Sequence, residues 1–233
     1  MNKEDKYGDD EKFESWADVK LFFPIASKIL DPIYNLGLTP NMVTLLSTLF
    51  TLTAIYYFSI NQKKYAILAY MIGYLLDCVD GKLARKYSMG SNIGMALDMV
   101  SDNVSNLALF LFIIYTKQLC GTNLVLIILI GFFSLMLSIS YGLNEAIASY
   151  EATGSDNFYE RRLKQLEESK KIADLNEVLL YNLFLGINKA TYKTYKSIFP
   201  VYNKEQIDSW LGLLKNFGPG NYCLFISFIL YYI

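Results

Sequence analysis

The feature that most constrains this chain is an uncharged apolar run at residues 42–60, MVTLLSTLFTLTAIYYFSI. Its length matches the ~20 residues that a helix needs to cross the hydrocarbon core of a bilayer. The whole chain supports the same interpretation, because 53% of its residues are hydrophobic and 15% are aromatic, more than a soluble domain needs. The run therefore predicts a transmembrane helix, and the composition predicts an integral membrane protein.

Further apolar segments follow along the chain. The segments at 65–84 and 93–115 are apolar apart from their aspartates and one lysine, and 123–146 forms a fourth. A weaker fifth segment at 176–195 is interrupted by Gly186 and Lys189, and a short sixth ends the chain at 218–233. We therefore expect an all-α integral membrane fold with about six transmembrane helices.

The start of the chain differs in character from these segments. Residues 1–16 are polar, and we expect them to form an exposed amino-terminal tail. Residues 17–38 interleave apolar and charged side chains at helical spacing, which predicts an amphipathic helix in the membrane interface, broken by Pro24 and Pro32. The membrane domain is then 39–233, within which the charged stretch 148–175 lies in water or on the membrane surface.

Basic residues predict the orientation of these segments. The turn between the second and third segments and the stretch 148–175 are rich in lysine and arginine, whereas the opposite loops hold only Lys63, Lys64 and Lys117. Loops with an excess of lysine and arginine lie in the cytosol. The pattern predicts a multi-pass protein with a cytosolic amino terminus and with any site near that turn facing the cytosol.

The composition also excludes several classes of chemistry. The chain has no histidine, which removes a Ser-His-Asp triad and a histidine zinc site. Its three cysteines are too widely separated for a thiolate zinc site or a disulfide framework. The net charge of -1 and the scattered basic residues offer no surface for nucleic acid. Chemistry on this chain must therefore use carboxylates, lysines, arginines and metal ions.

Four aspartates interrupt the second and third apolar segments, namely Asp77, Asp80, Asp98 and Asp102. Their spacing places the two members of each pair on one face of a helix. At 1.5 Å of rise per residue, both pairs lie roughly 12 to 18 Å from the turn KYSMGS, on adjacent antiparallel helices. We therefore expect the four carboxylates to converge on one point.

A cluster of carboxylates near the bilayer requires cations, because like charges otherwise repel each other. A set of ligands without histidine or thiolate suits magnesium, manganese or calcium, and suits zinc and copper poorly. Four aspartates can hold two such ions about 3.5 to 4 Å apart, the arrangement that clamps a phosphoryl group. The aspartates therefore predict a two-ion site for phosphoryl transfer.

Small residues and an arginine adjoin the aspartates. Gly81 and Gly94 have no side chains, so that backbone can approach a phosphate-bearing ligand. Ala84 adds only a methyl group to the same surface. Arg85 can pair with a phosphate. Close helix packing is the alternative explanation for the two glycines.

The order and spacing of these eight positions, over 26 residues, resemble without a departure the signature of the CDP-alcohol phosphatidyltransferase family (class I). The segment LTPNMVTLLS at 38–47 is also similar to the Pro-Asn segment that opens the family's first span. The resemblance covers the first three apolar segments.

This resemblance implies a six-helix membrane enzyme, usually a homodimer, that displaces CMP from a CDP-linked donor with an alcohol hydroxyl. It implies two divalent ions, Mg²⁺ or Mn²⁺, bound by Asp77, Asp80, Asp98 and Asp102. It further implies that Asp102 is the base that deprotonates the acceptor. The CDP pocket would be lined by Gly81, Ala84, Arg85 and Gly94.

The acceptor is less well indicated. GMALDMVSD at 94–102 is similar to phosphatidylinositol synthases, whereas DGKLAR at 80–85 is closer to the choline and ethanolamine phosphotransferases. We favour CDP-diacylglycerol as donor and a small polar alcohol as acceptor over a CDP-aminoalcohol with diacylglycerol. Lys189, Asn144 and Glu145 are candidates for the acceptor pocket, with helix-end or packing roles as the alternative.

Two other classes of function have to be weighed. A divalent-cation channel or transporter could use a ring of aspartates, but a conduction path gains nothing from an arginine beside its cation site. An inactive homologue that serves as a partner subunit is disfavoured, because no residue of the motif is missing.

Overall fold

The computed structural model describes residues 13–117, 124–154, 158–201 and 203–232, and within these ranges the chain is helical with no β-strand. The expected all-α class is therefore confirmed. A π-helical turn at Asp18–Phe22 precedes the α-helices, and a 3₁₀ turn at Lys215–Phe217 lies between the last two. The α-helices of the described residues are α1 Phe23–Asn35, α2 Pro40–Ser59, α3 Lys63–Lys86, α4 Asn92–Lys117, α5 Leu124–Thr153, α6 Phe158–Lys170, α7 Leu175–Ile198, α8 Lys204–Leu214 and α9 Pro219–Tyr232.

Three of these helices are long and apolar enough to cross a membrane. They are Pro40–Ser59 in α2, Asn92–Tyr115 in α4 and Leu124–Ile147 in α5. The helix α3 has 24 residues but carries charged side chains over its second half. The helix α9 has 14 residues, a length of about 21 Å against a hydrocarbon core of about 30 Å.

The amino-terminal region is helical, but it does not break at the second proline. Pro24 lies in the first turn of α1, where the π-helical turn changes to an α-helix, and the backbone stays helical through Phe22 and Phe23. Pro32 lies inside α1 and the helix continues to Asn35, so the predicted break at Pro32 is wrong. Gly37, with a φ of 79°, then ends the segment by reversing the chain. Residues 1–12 of the predicted tail lie outside the described residues.

Two contacts hold α1 against α3. Lys86 and the Tyr87 hydroxyl each donate a hydrogen bond of 2.6 Å to Oδ1 of Asp31. The Lys86 hydrogen bond and then the Tyr87 hydrogen bond lower the pKa of the Asp31 carboxyl. The ring of Tyr34 stacks on the ring of Tyr87 with 3.6 Å between centroids. The helix α1 is therefore anchored at the end of α3 that precedes the predicted turn.

The central packing is between α2 and α3. Gly73 permits their close approach, because a Cβ there would lie 3.0 Å from Oγ1 of Thr51 and 3.1 Å from the carbonyl oxygen of Ser47. The helix α2 also contacts α4, so α3 and α4 are positioned on a common partner. The local start of α2 is fixed by Thr39, whose Oγ1 accepts a hydrogen bond of 3.4 Å from the N–H of Met42.

A buried carboxylate joins the amino-terminal segment to α9. Asp18 accepts hydrogen bonds from the Ser15 hydroxyl at 2.6 Å, from the Gly220 N–H at 3.0 Å and from the Tyr74 hydroxyl. Because Gly220 lies in the first turn of α9, this carboxylate caps that helix from a distant part of the chain. A side chain at Gly220 would crowd this contact, since an added Cβ would lie 2.8 Å from the backbone nitrogen of Asp18.

The charged stretch predicted at 148–175 contains the helix α6, which runs antiparallel to α7 and beside it. The Tyr192 hydroxyl donates to Glu160 at 3.1 Å, and Lys189 lies 3.7 Å from Glu167. A capping box at Asp174 and Glu177 starts α7. We name this unit the α6–α7 hairpin, residues 158–198.

The hairpin joins the ends of α4 and α5. Nδ2 of Asn188 lies 3.3 Å from Sδ of Met99 on α4, and a Cβ added at Gly142 on α5 would lie 3.3 Å from Cβ of Tyr195. The helix α8, which the sequence did not indicate, packs on α5 through its apolar residues Ile207, Leu211 and Leu214.

Candidate active site

Three of the four aspartates meet between α3 and α4. One carboxylate oxygen from each of Asp77, Asp98 and Asp102 lies within 4.8 Å of the other two. Asp77 comes from α3 and the other two from α4, where the four-residue spacing places them on one face. The predicted convergence therefore occurs for these three residues, which the sequence separates by up to 25 positions.

The fourth aspartate faces a different partner. Asp80 is buried, and its Oδ2 accepts a hydrogen bond of 2.6 Å from the hydroxyl of Thr44 on α2. It is not a member of the three-carboxylate group, although it lies one helical turn from Asp77 on the same helix. The part of Asp80 in a common metal site therefore stays a prediction. Burial beside α2 orients this carboxylate towards Thr44.

The Thr44 hydroxyl is the contact at this site that sequence reasoning missed. Its side chain is buried, and Oγ1 also lies 3.2 Å from the carbonyl oxygen of Pro40. A threonine hydroxyl has one hydrogen to donate, and the shorter bond to an ionised acceptor is the stronger one. The signal in the sequence was the position of Thr44 in the LTPNMVTLLS segment, but nothing local linked it to an aspartate 36 residues away.

A second pair of polar side chains lies further along α3 and α4. The Tyr70 hydroxyl donates to Oδ1 of Asn106 at 2.8 Å, and Nδ2 of Asn106 donates to the carbonyl oxygen of Asp102 at 2.9 Å. This pair bridges the two helices one turn beyond Asp102. It fixes the rotation of α4 and therefore the direction in which Asp102 points.

The residues predicted to line the CDP pocket lie on two helices and have different neighbours. The guanidinium of Arg85 folds over Gly81, since a Cβ added at Gly81 would lie 3.3 Å from its Nη1. Arg85 itself is exposed on the last turns of α3, and Ala84 is half-buried. The arrangement places the exposed positive charge of Arg85 over Gly81, the residue that follows Asp80, on the side of the predicted turn.

Gly94 has a close contact with another helix. A Cβ at Gly94 would lie 2.8 Å from Oδ1 of Asn41 and 2.9 Å from Oγ of Ser91. Its N–H also donates to Ser91 Oγ at 3.0 Å. The absence of a side chain at Gly94 therefore permits the contact of α2 with the start of α4, which supports the packing explanation for this glycine.

The three residues considered for an acceptor pocket all have structural partners. Nδ2 of Asn144 donates to the carbonyl oxygen of Phe13 at 3.0 Å. Glu145 lies 3.7 Å from Nη2 of Arg162, and Lys189 lies 3.7 Å from Glu167. Their contacts support the packing alternative. By contrast, Oδ1 of the fully buried Asn188 has no hydrogen-bond partner among the described residues.

The donor atoms of this site suit a hard divalent cation. Three carboxylates within reach of one another, and a fourth held by a hydroxyl, offer only oxygen ligands. Asp77, Asp98 and Asp102 are half-buried, and three anionic groups at this separation repel one another unless a cation or protons neutralise them. Asp77, Asp98 and Asp102 would hold such an ion directly, and Asp80 lies close enough along α3 to contribute to a second.

Comparisons with known proteins match the part of the chain that carries these aspartates. The model of the family described as CDP-alcohol phosphatidyltransferase matches residues 37–156. The chain is 37% identical over 106 residues to the archaetidylinositol phosphate synthase of Pyrococcus horikoshii, which is 46% of this chain and 55% of that protein. It is 30% identical over 156 residues to the CDP-diacylglycerol–inositol 3-phosphatidyltransferase of Saccharomyces cerevisiae, which is 59% of this chain and 65% of that protein.

Each match therefore spans less than two thirds of the curated relative. No solved structure matches the chain significantly.

Proposed function

Because the chain belongs to the CDP-alcohol phosphatidyltransferase family, to which its residues 37–156 match, we propose that it is a membrane enzyme of phospholipid synthesis. It transfers a substituted phosphate group from a CDP-linked donor to an alcohol and releases CMP. The observation that carries this proposal is the group of three carboxylates within 4.8 Å, formed by motif residues of two different helices.

We propose that the four motif aspartates bind two divalent cations, Mg²⁺ or Mn²⁺. The oxygen-only donor set supports this choice over zinc or copper. Bound cations supply the positive charge that the diphosphate of the donor requires. The CDP moiety lies towards the turn after α3, against the wall formed by Gly81, Ala84, Arg85 and Gly94. Arg85 can pair with a phosphate oxygen there, since its guanidinium already lies over Gly81.

Asp102 is proposed to be both a ligand and the catalytic base. It lies on α4 farther from the turn than Asp98, and therefore on the side away from the proposed CDP wall. In an in-line displacement the acceptor hydroxyl attacks phosphorus opposite the departing CMP, so its proton has to be taken on that side. The hydroxyl loses its proton to Asp102 as its oxygen bonds to phosphorus and the bond to the CMP oxygen breaks.

The variants Asp102→Asn and Asp80→Asn separate these roles. Asp102→Asn keeps the size of the side chain and one oxygen ligand, so turnover should fall by about 10² to 10⁴ while metal-dependent donor binding is largely kept. Asp80→Asn should weaken the binding of metal and nucleotide together. Near-normal turnover by Asp102→Asn would leave Asp102 as a ligand only.

The acceptor proposed here is inositol or an inositol phosphate, with a CDP-diacylglycerol-type donor. One relative is named for the product archaetidylinositol phosphate and the other for transfer from CDP-diacylglycerol to inositol, which favours the phosphatidylinositol-synthase-like alternative over CDP-aminoalcohol chemistry. The test is release of labelled CMP from CDP-diacylglycerol by the purified protein, with magnesium or manganese. Inositol, inositol phosphate, glycerol phosphate and serine are compared as acceptors. CMP release only from CDP-choline with diacylglycerol would overturn the donor assignment.

A divalent-cation channel or transporter remains the competing proposal of a different class. It predicts manganese flux into liposomes that contain the protein, without any CDP-linked substrate. The arginine folded over Gly81, next to Asp80 in the sequence, disfavours it, because a cation path is impeded by a fixed positive charge.

We propose that α2, α3, α4 and α5 cross the membrane, with the turn after α3 and the amino terminus in the cytosol and α1 in the interface. Six crossings were expected, but the contacts of α7 favour another path for it. Asn188 lies at Met99 near the start of α4, and Tyr195 lies at Gly142 near the end of the apolar part of α5. Both positions are on the same side of the bilayer, so α7 runs along that side.

The helices α8 and α9 then continue antiparallel to α5. Together they form a fifth and last crossing. This path agrees with the many charged side chains of α6. A helix of that composition could not lie beside α7 in the hydrocarbon core. A homodimer is proposed from the family resemblance alone.

A further inference from the structure

A cavity of about 600 Å³ lies between α6 and α7, away from the aspartates. Its polar lining consists of Glu167, Lys170, Lys171, Asn182 and Lys189, and Gly186 leaves its α7 wall open. No Cβ contact within 4 Å would occur at Gly186, so the opening continues to the surface of α7.

The cavity carries an excess of positive charge. Glu167 is its one carboxylate among the described lining residues, and it lies 3.7 Å from Lys189. The ammonium groups of Lys170 and Lys171 have no ion pair with any other described residue. With three lysines and one glutamate, the cavity is complementary to an anion.

An exposed apolar row borders this cavity on α7. Leu175, Leu179 and Leu183 follow one another at four-residue intervals, and their exposed fractions are 91%, 64% and 45%. Ile172, in the turn between the two helices, is 91% exposed. At 100° per residue, and counted around the axis of α7 from Leu175, the three leucines lie at 0°, 40° and 80°. On the same scale Asn182 and Gly186 lie at about -20° and 20°. The apolar row and the cavity are therefore adjacent strips of one helix surface.

The position of the turn relative to α4 sets the depth of this surface. Nδ2 of Asn92, the first residue of α4, donates to Oγ of Ser169 at 2.8 Å. Gln165 also donates to Asn92 at 3.0 Å. Because α4 begins at the membrane boundary, Lys170 and Lys171 lie at the level of the lipid head groups.

We propose that this surface binds an anionic phospholipid of the leaflet at which α4 begins. Its phosphate lies in the cavity against Lys170 and Lys171, and its acyl chains contact the exposed leucines Leu175, Leu179 and Leu183 where they enter the bilayer. Lysines at head-group level beside exposed leucines are the chemistry by which a helix engages an anionic membrane surface. The site is separate from the aspartates, and the proposal does not depend on the reaction.

The charge of the cavity distinguishes this occupant from the alternatives. A zwitterionic lipid would offer a cation to the lysines, and a second copy of this chain would cover the leucines without filling the charged cavity. Inorganic phosphate would use the lysines but gain nothing from the leucines. Each alternative therefore predicts a different response to substitution.

The test is native mass spectrometry of the purified full chain in detergent. Phosphatidylglycerol, phosphatidylcholine and inorganic phosphate are added as separate probes. The variants are the double substitution Lys170→Gln with Lys171→Gln, and the single substitution Leu179→Gln. The matched control is Lys193→Gln with Lys204→Gln, which removes two exposed lysines outside the cavity. Lys170 is half-buried and the other substituted positions are exposed, and thermal unfolding checks that each variant is folded.

Wild type and control should retain phosphatidylglycerol in preference to phosphatidylcholine. Each lysine near an anionic lipid surface contributes a factor of about 5 in affinity, so the double variant should bind phosphatidylglycerol about 25-fold more weakly. Leu179→Gln should weaken phosphatidylglycerol binding and leave phosphate binding unchanged.

Three results would overturn the proposal. The first is equal retention of the two lipids. The second is phosphate binding as tight as that of phosphatidylglycerol. The third is a dimer mass that Leu179→Gln alone converts to monomer.

Discussion

The hydrogen bond from Thr44 to Asp80 makes the most specific prediction about the site. Thr44→Val keeps the shape of the side chain and removes only the hydroxyl. Both partners are buried, at 3% and 4% exposure, so water does not readily replace the lost donor. Asp80 would then lose the side-chain donor that holds its Oδ2, and the carboxylate proposed to serve the second cation would be held less firmly in its direction.

The size of the effect follows from the geometry. A bond of 2.6 Å to a carboxylate is short and charge-assisted, and hydrogen bonds to charged groups contribute about 1.5 to 3 kcal/mol. Since about 1.4 kcal/mol corresponds to a factor of ten, this range predicts that Thr44→Val lowers the metal affinity by roughly 10- to 150-fold. Loss of a partner that orients a metal ligand typically weakens metal affinity by about 10- to 100-fold, which agrees.

The assay is Mn²⁺ binding to purified protein, followed by electron paramagnetic resonance of the free ion. It reports on the site without requiring turnover. The concentration of Mg²⁺ that gives half-maximal CMP release is measured in parallel. Thr44→Val should bind Mn²⁺ more weakly at one site and need more Mg²⁺, whereas Thr44→Ser, which keeps the hydroxyl, should recover most of both.

The matched control is Thr51→Val. Thr51 is also buried on α2, but its hydroxyl donates only within that helix, to the carbonyl oxygen of Ser47 at 3.3 Å. Its removal should leave metal binding unchanged. If Thr44→Val bound Mn²⁺ as tightly as wild type while folding normally, Asp80 would be oriented by other contacts and this account of the hydrogen bond would be refuted.

Three further predictions concern the metal, the topology and the packing. Activity should be lost in excess chelator and return with Mg²⁺ or Mn²⁺ but poorly with Zn²⁺, because the site offers carboxylate oxygens; full turnover in chelator would exclude the metal assignment. A cysteine at the exposed Ser88, in a variant without its native cysteines, should react with an impermeant reagent only from the cytosolic side, and labelling from outside would reverse the proposed orientation. Gly220→Ala should destabilise the protein by about 1 to 3 kcal/mol through contact with Asp18, while Gly212→Ala, with open space around it, should not; thermal unfolding in detergent compares the two.

The sequence was sufficient for the class of the fold and for most of the site. Apolar runs of bilayer length and their helical periodicity depend on neighbouring residues, so α2, α4 and α5 were predicted near their observed bounds. The pairing of Asp98 with Asp102 is also local, because a four-residue interval fixes a common helix face whatever surrounds it.

What only the tertiary structure decided is how these faces meet. Asp80 shares a helix face with Asp77, yet its carboxylate turns to Thr44, because α2 packs along that side of α3. Asp18 caps α9 across some two hundred residues, and the polar helix α6 holds α7 along one side of α4 and α5. Periodicity states which side of a helix is apolar, but the partner that each side meets is set by packing between distant segments. The three-carboxylate group therefore could be anticipated from spacing, and the hydroxyl that orients the fourth carboxylate could not.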